Sequence, residues 1–263
     1  MNAFATTARP VARPTVTAVV PTLNEADNLR WLLPRLHGVD EVVIVDGESG
    51  DGSAEVAAAL RPDAVILSRP PRGKGDALRA GFAAASGDVI VMLDADGSMD
   101  PAEIPAFVAL VARGFDFVKG TRYACGGGSR DLTFVRRAGN RWLTRAANVL
   151  YRAGWTDLCY GYVALRRSAV PRLALRSRGF EIETEMCVNA VTAGLRIAEV
   201  ASFEGDRLFG ESHLNTWRDG WRVLRTLVGS RVGSRVGSRL RPVRAGADPA
   251  EAPAVAAPAG LAA

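Results

Sequence analysis

The sequence predicts an α/β domain built on a doubly wound, mostly parallel sheet, and three observations predict it. From residue 16 onward, apolar runs rich in Val and Ile alternate with segments of helical period. The runs are near-continuous rather than alternating apolar and polar, as strands covered by helices on both faces are. Polar residues collect where the runs end, which in such sheets is the ligand side: Asn24 and Glu25, Asp46, then Asp94 and Asp96.

Taken in order, residues 1–14 (MNAFATTARPVARP) have no apolar periodicity and are expected to form a flexible terminus. The strand VTAVVPTL precedes the helical NEADNLRWLLPRL, EVVIVD precedes SAEVAAAL, and AVILS precedes KGDALRAGFAAA. VIVML precedes DPAEIPAFVALVAR, whose Asp100 and Pro101 read as a helix cap and first position, and FDFVKG is a fifth strand. The second half changes character: a glycine-rich CGGGSRD loop, a long basic helix from about Thr133 to Ala153, a short strand in YGYVALRR, a helix across EIETEMCVNAVTAG and a strand in RIAEVASFE. These are expected to complete the sheet, giving one α/β domain over 15–212, a basic amphipathic segment over 213–241 and a disordered Ala/Pro-rich end over 242–263.

The formal charge of +5 is concentrated at one end, since Trp217 to Arg244 carries eight Arg against one Asp and leaves the remainder close to neutral. A neutral body argues against a nucleic-acid-wrapping protein, whereas the basic tail suits an anionic membrane surface. On a helix, Leu214, Trp217, Trp221, Leu224 and Val228 form one stripe flanked by Arg218, Arg222 and Arg225, a pattern that serves an interfacial helix or one packed on a partner. Cys125, Cys159 and Cys187 lack metal-ligand spacing and read as reduced thiols. With no signal-like apolar region and no run of about 20 apolar residues, the expectation is a cytoplasmic protein, peripheral at most on the inner face of the membrane.

The stretch VIVMLDADGSMDP ends a buried strand with two like charges, Asp94 and Asp96, one residue apart. Such a pair can share a hard divalent cation, Mg2+ or Mn2+, completed by substrate phosphates; it can also be a solvated turn. The same letters suit a haloacid-dehalogenase-type phosphohydrolase with Asp94 as nucleophile, although that motif opens its domain and needs a later lysine, for which Lys119 is the sole candidate.

VVPTLNEADNL, EVVIVDGESGDGS, RGKGDALRAGF, DVIVMLDADGSMDP, FVKGTRY, DLCYGYVALRR, GFEIETEM and RLFGESHL follow one another in the order found in family 2 glycosyltransferases of the GT-A fold, a Rossmann-like arrangement. The chain most resembles the polyprenyl-phosphate sugar transferases related to dolichol-phosphate mannose synthase, over roughly residues 16 to 228. The resemblance implies metal-dependent, inverting transfer of a hexose from a GDP- or UDP-sugar to a polyprenyl phosphate. A soluble hydroxyl acceptor is the alternative within the family, and a sugar-nucleotide-binding protein without turnover lies outside it.

Carried over position by position, Pro21, Asn24, Glu25 and Asp46 would hold the nucleoside, with Asn24 serving equally as a helix cap. Many relatives carry a second acidic residue where this chain has Gly47. Arg72, Gly73, Lys74 and Gly75 would face the donor, the glycines allowing close backbone approach and the helix presenting free amides. Asp94 and Asp96 would hold the metal, Asp96 directly, with Ser98 where several relatives have Gln. For the acceptor, Arg122, Arg136, Arg137, Arg207 and Ser212 align with residues that meet phosphate groups in the family, while His213 and His37 read as structural. A phosphate acceptor is already ionised and needs no base; a hydroxyl acceptor would, and Asp157 or Glu185 are the candidates, Glu185 sharing a helical face with Glu181.

Overall fold

A computed structural model describes residues 13–210 and 220–228. Strand β1 (Val16–Thr22) leads into α1 (Ala26–Leu32), β2 (Glu41–Asp46) into α2 (Ser53–Leu60), β3 (Val65–Ser68) into α3 (Lys74–Ala84), and β4 (Val89–Met92) into α4 (Ile104–Ala112). Asp100 starts the last of these as expected: its side chain accepts from the Ala102 amide at 2.9 Å over a short 3-10 turn at Pro101–Glu103. Then come β5 (Phe117–Thr121), the two-residue β6 (Gly128–Ser129), α5 (Phe134–Tyr151), β7 (Val163–Arg166), α6 (Val170–Leu173), α7 (Ile182–Thr192), β8 (Ile197–Ala201) and β9 (Phe203–Glu204).

Seven strands form one sheet in the order β3-β2-β1-β4-β7-β5-β8, and β6 pairs with β9 beside it. All neighbours run parallel except at β7, which lies antiparallel to both β4 and β5. Alternate residues explain the unbroken apolar runs. Val19, Val43, Val45, Ile90 and Met92 face a core closed by α3, α5, α7 and the helix at 220–228, while Val16, Ala18, Val20, Val42, Ile44 and Val91 face one closed by α1, α2 and α4. The chain winds outward from β1 to β3 and returns to β4 on β1's other side. That reversal opens a crevice beyond the carboxyl ends of β1 and β4.

The basic helix over 220–228 uses a different face from the stripe the sequence suggests. Val223 and Leu227 are buried, and Tyr151 donates to the Leu227 carbonyl at 2.6 Å, so the helix packs on the domain. Trp221 and Val228 point outward, 69% and 52% exposed. Leu214, Trp217, Arg218 and the repeats after Val228 lie outside the described residues. Among the described residues no helix is long and apolar enough to cross a membrane.

Candidate active site

A cleft of about 730 Å³ opens at the crevice, a volume in the range of ligand sites. It gathers Pro21, Glu25, Asp46, Lys74, Asp94, Asp96, Arg122, Arg136 and Arg207 from segments spread over the chain. Asn24, Arg137, Asp157 and Glu185 fall outside its lining, and Ser212 and His213 lie outside the described residues.

The first wall is made by the loops after β1 and β2. Asp46, at the carboxyl end of β2, is buried and accepts from the Ser49 amide at 3.0 Å and hydroxyl at 2.6 Å, which fixes its carboxylate at the cleft edge. Asn24 neither caps α1 nor faces the cleft. Its backbone is left-handed (φ 54°), its Oδ1 accepts from the Gly50 amide at 3.0 Å and its own amide donates to Ser49 Oγ at 2.8 Å, so it staples the two loops together. The capping falls to a distant residue: Asp51 Oδ2 accepts from the Ala26 amide at 2.9 Å, a carboxylate at the positive end of α1. Burial raises Asp51's pKa, but hydrogen bonds from Ser53 and the Ala26 amide outweigh it and hold the carboxyl below its usual range.

The RGKG turn corrects a second expectation. The amides of Gly75 and Asp76 donate to the Arg178 carbonyl at 2.7 and 3.2 Å, so they are not open to a phosphate. A Cβ on Gly73 would stand 2.4 Å from that carbonyl oxygen and one on Gly75 2.5 Å from the Ser177 oxygen. The glycines therefore serve the packing of α3 on the 177–178 backbone, and the part of the turn that reaches the floor is the Lys74 side chain.

Lys74 Nζ lies 2.6 Å from Asp94 Oδ1 and 2.7 Å from Glu183 Oε1. Burial works against its charge, but the two carboxylates outweigh burial and hold its pKa above the usual value. Asp94 is pushed up to about 6, by burial first, with Lys74 opposing and the Asp96 and Glu183 charges adding to the rise. From the sequence, Glu181 and Glu185 stand out as sharing a helical face, and Glu183 between them is passed over. α7 begins at Ile182, and Glu183 in its first turn reaches the cleft. Glu185 turns away and accepts from the amides of Arg176 at 3.0 Å and Ser177 at 2.8 Å. It staples a loop and offers no base.

Asp96 Oδ1 accepts from the amide and hydroxyl of Ser98 at 3.0 and 2.7 Å, leaving Oδ2 to Arg207 Nη2 at 2.9 Å. The other arm of Arg207 reaches Glu25 Oε1 at 3.0 Å. Gly97 makes this crossing possible: its φ is +77° and a Cβ there would stand 2.5 Å from Leu208 Cδ1. The acid pair has the chemistry a divalent cation requires, two hard carboxylates at a partly open cleft with cations drawn to them. The described residues contain no group of three or more His, Cys, Asp or Glu that could hold a metal, so the pair would need oxygens from a ligand to complete a shell.

Toward the far end, Arg122 is enclosed. Its Nε and Nη2 donate to Asp157 at 2.7 and 3.0 Å, its Nη1 donates to Glu204 at 2.9 Å, and Tyr160 lies under it at 4.8 Å. Asp157 has no exposure; burial raises its pKa, but Arg122, Lys119 and Asn140 outweigh it and hold it below the usual range. The pair ties β5 to its neighbouring loops, and Asp157 cannot receive a proton from a ligand in the cleft. Arg136 does face the cleft, braced by Asp131 at 3.1 Å, whereas Arg137 is exposed. Beyond Arg136 the walls are apolar: Leu132, Val135 and Leu143, Phe180, and Val223 of the 220–228 helix. Lys119 is fully buried with its Nζ on the Tyr160 carbonyl, away from Asp94, which removes the phosphohydrolase reading.

The glycosyl transferase family 2 model matches residues 17–173. An uncharacterized glycosyltransferase of Mycobacterium tuberculosis is 33% identical over 200 residues, covering 76% of this chain and 89% of that protein. A dolichol-phosphate mannosyltransferase of Pyrococcus furiosus is 32% identical over 213 residues, 76% of this chain and 59% of its own length. Among solved structures, glucosyl-3-phosphoglycerate synthase of Mycobacterium tuberculosis in complex with Mn2+, UDP and glucosyl-3-phosphoglycerate superposes with a TM-score of 0.64 at 26% identity, covering 84% of this chain and 80% of the other. A strand-end cleft with an acid pair, in a chain matched over more than half its length, agrees with these relatives: the chain belongs to glycosyl transferase family 2 and is a glycosyltransferase that uses nucleotide sugars.

Proposed function

We propose that the protein transfers a hexose, with inversion, from a GDP- or UDP-sugar to a polyprenyl phosphate, with Mg2+ or Mn2+ at Asp94 and Asp96. The observation that carries this reading is the acceptor end of the cleft. It offers Arg136 for an anion and apolar walls beyond it, while the acids considered as bases are committed elsewhere, Asp157 to Arg122 and Glu185 to amides, as is Glu183 to Lys74. A phosphomonoester, with a second pKa of about 6, needs no base.

In this mechanism Asp46 and the loop after β1 hold the nucleoside, and the metal, when bound, supplies Lewis-acid stabilisation of the leaving diphosphate. Lys74 keeps a positive charge at the floor of the cleft, where the donor phosphates meet the sugar. An acceptor phosphate oxygen, gripped by Arg136, attacks the anomeric carbon from the face opposite the diphosphate. The new C–O bond forms as the old one breaks, and its electron pair leaves with the nucleotide. The lipid chain would lie between α5 and the 220–228 helix. Beside that exit, α5 exposes Phe134, Trp142 and Val149 (85, 57 and 79% exposed) among Arg137, Arg141, Arg145 and Arg152, a face suited to anionic lipid.

A second reading, a soluble phosphorylated acceptor, draws on the solved complexes of glucosyl-3-phosphoglycerate synthase with phosphoglyceric acid. There Glu183, the one carboxylate near the floor on an acceptor-side helix, would have to leave Lys74 to take a hydroxyl proton. The test is direct: the protein is incubated with Mn2+ and GDP-mannose or UDP-glucose, and with either a polyprenyl phosphate in detergent or 3-phosphoglycerate, and products are read by mass spectrometry. A glycolipid is expected. A glycosylated phosphoglycerate with no glycolipid would overturn the lipid assignment.

A further inference from the structure

The acid pair already carries two cations from the chain itself, and one is held on a movable arm. Asp96 has a single oxygen not occupied by Ser98, and Arg207 takes it at 2.9 Å while its other nitrogen reaches Glu25 at 3.0 Å. The backbone on both sides of Arg207 is pinned to the acid loop: the Gly205 amide donates to the Ser98 carbonyl at 2.8 Å and the Leu208 amide to the Asp96 carbonyl at 3.1 Å. Further along, Phe209 exchanges two hydrogen bonds with the Asn28 side chain at 3.1 Å. The strap is fixed, and the partly exposed guanidinium is the part that can swing.

A guanidinium on Asp96 Oδ2 and a divalent cation bound to the same oxygen exclude each other, by volume and by like charge. We propose that Arg207 is a built-in counter-cation that keeps metal off Asp96 until a diphosphate arrives to receive the guanidinium. A nucleotide diphosphate offers two or more phosphate oxygens in the geometry the fork prefers, so Arg207 exchanges a carboxylate for a phosphate and frees Asp96 for the metal. Metal and nucleotide then bind with positive coupling, which linkage makes reciprocal. After transfer, departure of the nucleotide would return Arg207 to Asp96 and weaken the hold on the metal, so nucleotide and metal leave the donor site together. This inference rests on the metal and nucleotide-sugar reading above and adds the order in which the ligands bind.

The experiment is a titration of Mn2+ alone, followed by its EPR signal, into wild type, Arg207→Met and Arg207→Lys, each checked for folding by circular dichroism, and then repeated with saturating GDP or UDP. Without nucleotide, Arg207→Met is expected to bind Mn2+ about tenfold or more tighter than wild type, the scale of a lost charge-assisted contact. Nucleotide should tighten Mn2+ about tenfold in wild type and much less in Arg207→Met. Arg207→Lys, which keeps the charge but not the fork, should fall between and decides the matter if the Met variant does not fold. Equal Mn2+ affinity of wild type and variant, or loss of Mn2+ binding in the variant, overturns the role of Arg207. Failure of wild type to bind either diphosphate with Mn2+ instead removes the donor reading, and the nucleotide-free comparison still decides whether Arg207 guards Asp96.

Discussion

Lys74 Nζ stands 2.7 Å from Glu183 Oε1, joining the start of α3 to the start of α7 across 109 positions of sequence while also holding Asp94. One ammonium thus balances two carboxylates at the floor of the cleft. Replacing it by Met leaves both uncompensated and should lower stability by about 2 to 3 kcal/mol, the low side for breaking a buried pair because Asp94 keeps 26% of its side chain exposed. Urea unfolding checks this, and combining the change with Asp94→Asn should cost less than the sum of the two.

Asp94 also sets a pH dependence. Its folded value of about 6 lies above the ordinary 3.8, so the folded protein holds a proton that the unfolded chain has lost between those values. Its contribution is therefore most favourable below pH 4, declines as pH rises to about 6 and is flat beyond. Stability curves of wild type and Asp94→Asn should converge at the acid end and separate through that window. Metal-dependent nucleotide binding runs the opposite way, since the protonated carboxyl is a poor ligand, and should weaken as pH falls through about 6. Calorimetry at pH 5 and pH 7.5 measures it.

Asp157→Asn separates structure from chemistry at the most deeply buried acid near the cleft. The Arg122 fork loses a charged partner, with an expected cost on the order of 1.5 to 3 kcal/mol. Transfer per folded molecule should change only a few-fold. A fall of a hundredfold or more in kcat, with stability little altered, would make Asp157 a base after all.

Gly75→Ala and Gly139→Ala should behave oppositely. The first drives a Cβ to 2.5 Å from the Ser177 carbonyl and displaces the loop that braces Lys74, so KM for the donor should rise and the melting temperature fall. A Cβ on Gly139 meets nothing within 4 Å, and removing a glycine from inside α5 should stabilise by up to about 1 kcal/mol. Thermal melts of the two proteins give the comparison.

Strands and their flanking helices were legible because burial on both faces of the sheet writes itself as unbroken apolar runs, and Asp46, Asp94 and Asp96 followed because they stand at or beside the ends of those strands, whereas Lys74 came from the family pattern. Arg136 and Arg207 came from the family pattern and do face the cleft. The misses share a cause. Asn24, Asp157 and Glu185 are polar residues in the right segments, but their side chains are consumed by partners 26, 35 and 8 positions away, and no local pattern records that. Glu183 lies between two acids that share another helical face, and its partner Lys74 is 109 positions away, so no local pattern marks it. β7 was expected as a strand, but its direction depends on a chain reversal between β5 and β7 that leaves no periodic mark.

That antiparallel strand has a kinetic side. β4 is apolar along its whole length, and its free edge is closed only by β7, where Met92 meets Val163. At ribosomal speeds the partner emerges roughly 4 to 14 s later. Through that interval the nascent chain presents an open hydrophobic edge, the kind of template on which chains pair with one another. A polypeptide released before Val163 should aggregate where the full chain does not, and the first half depends for its solubility on residues it has yet to receive.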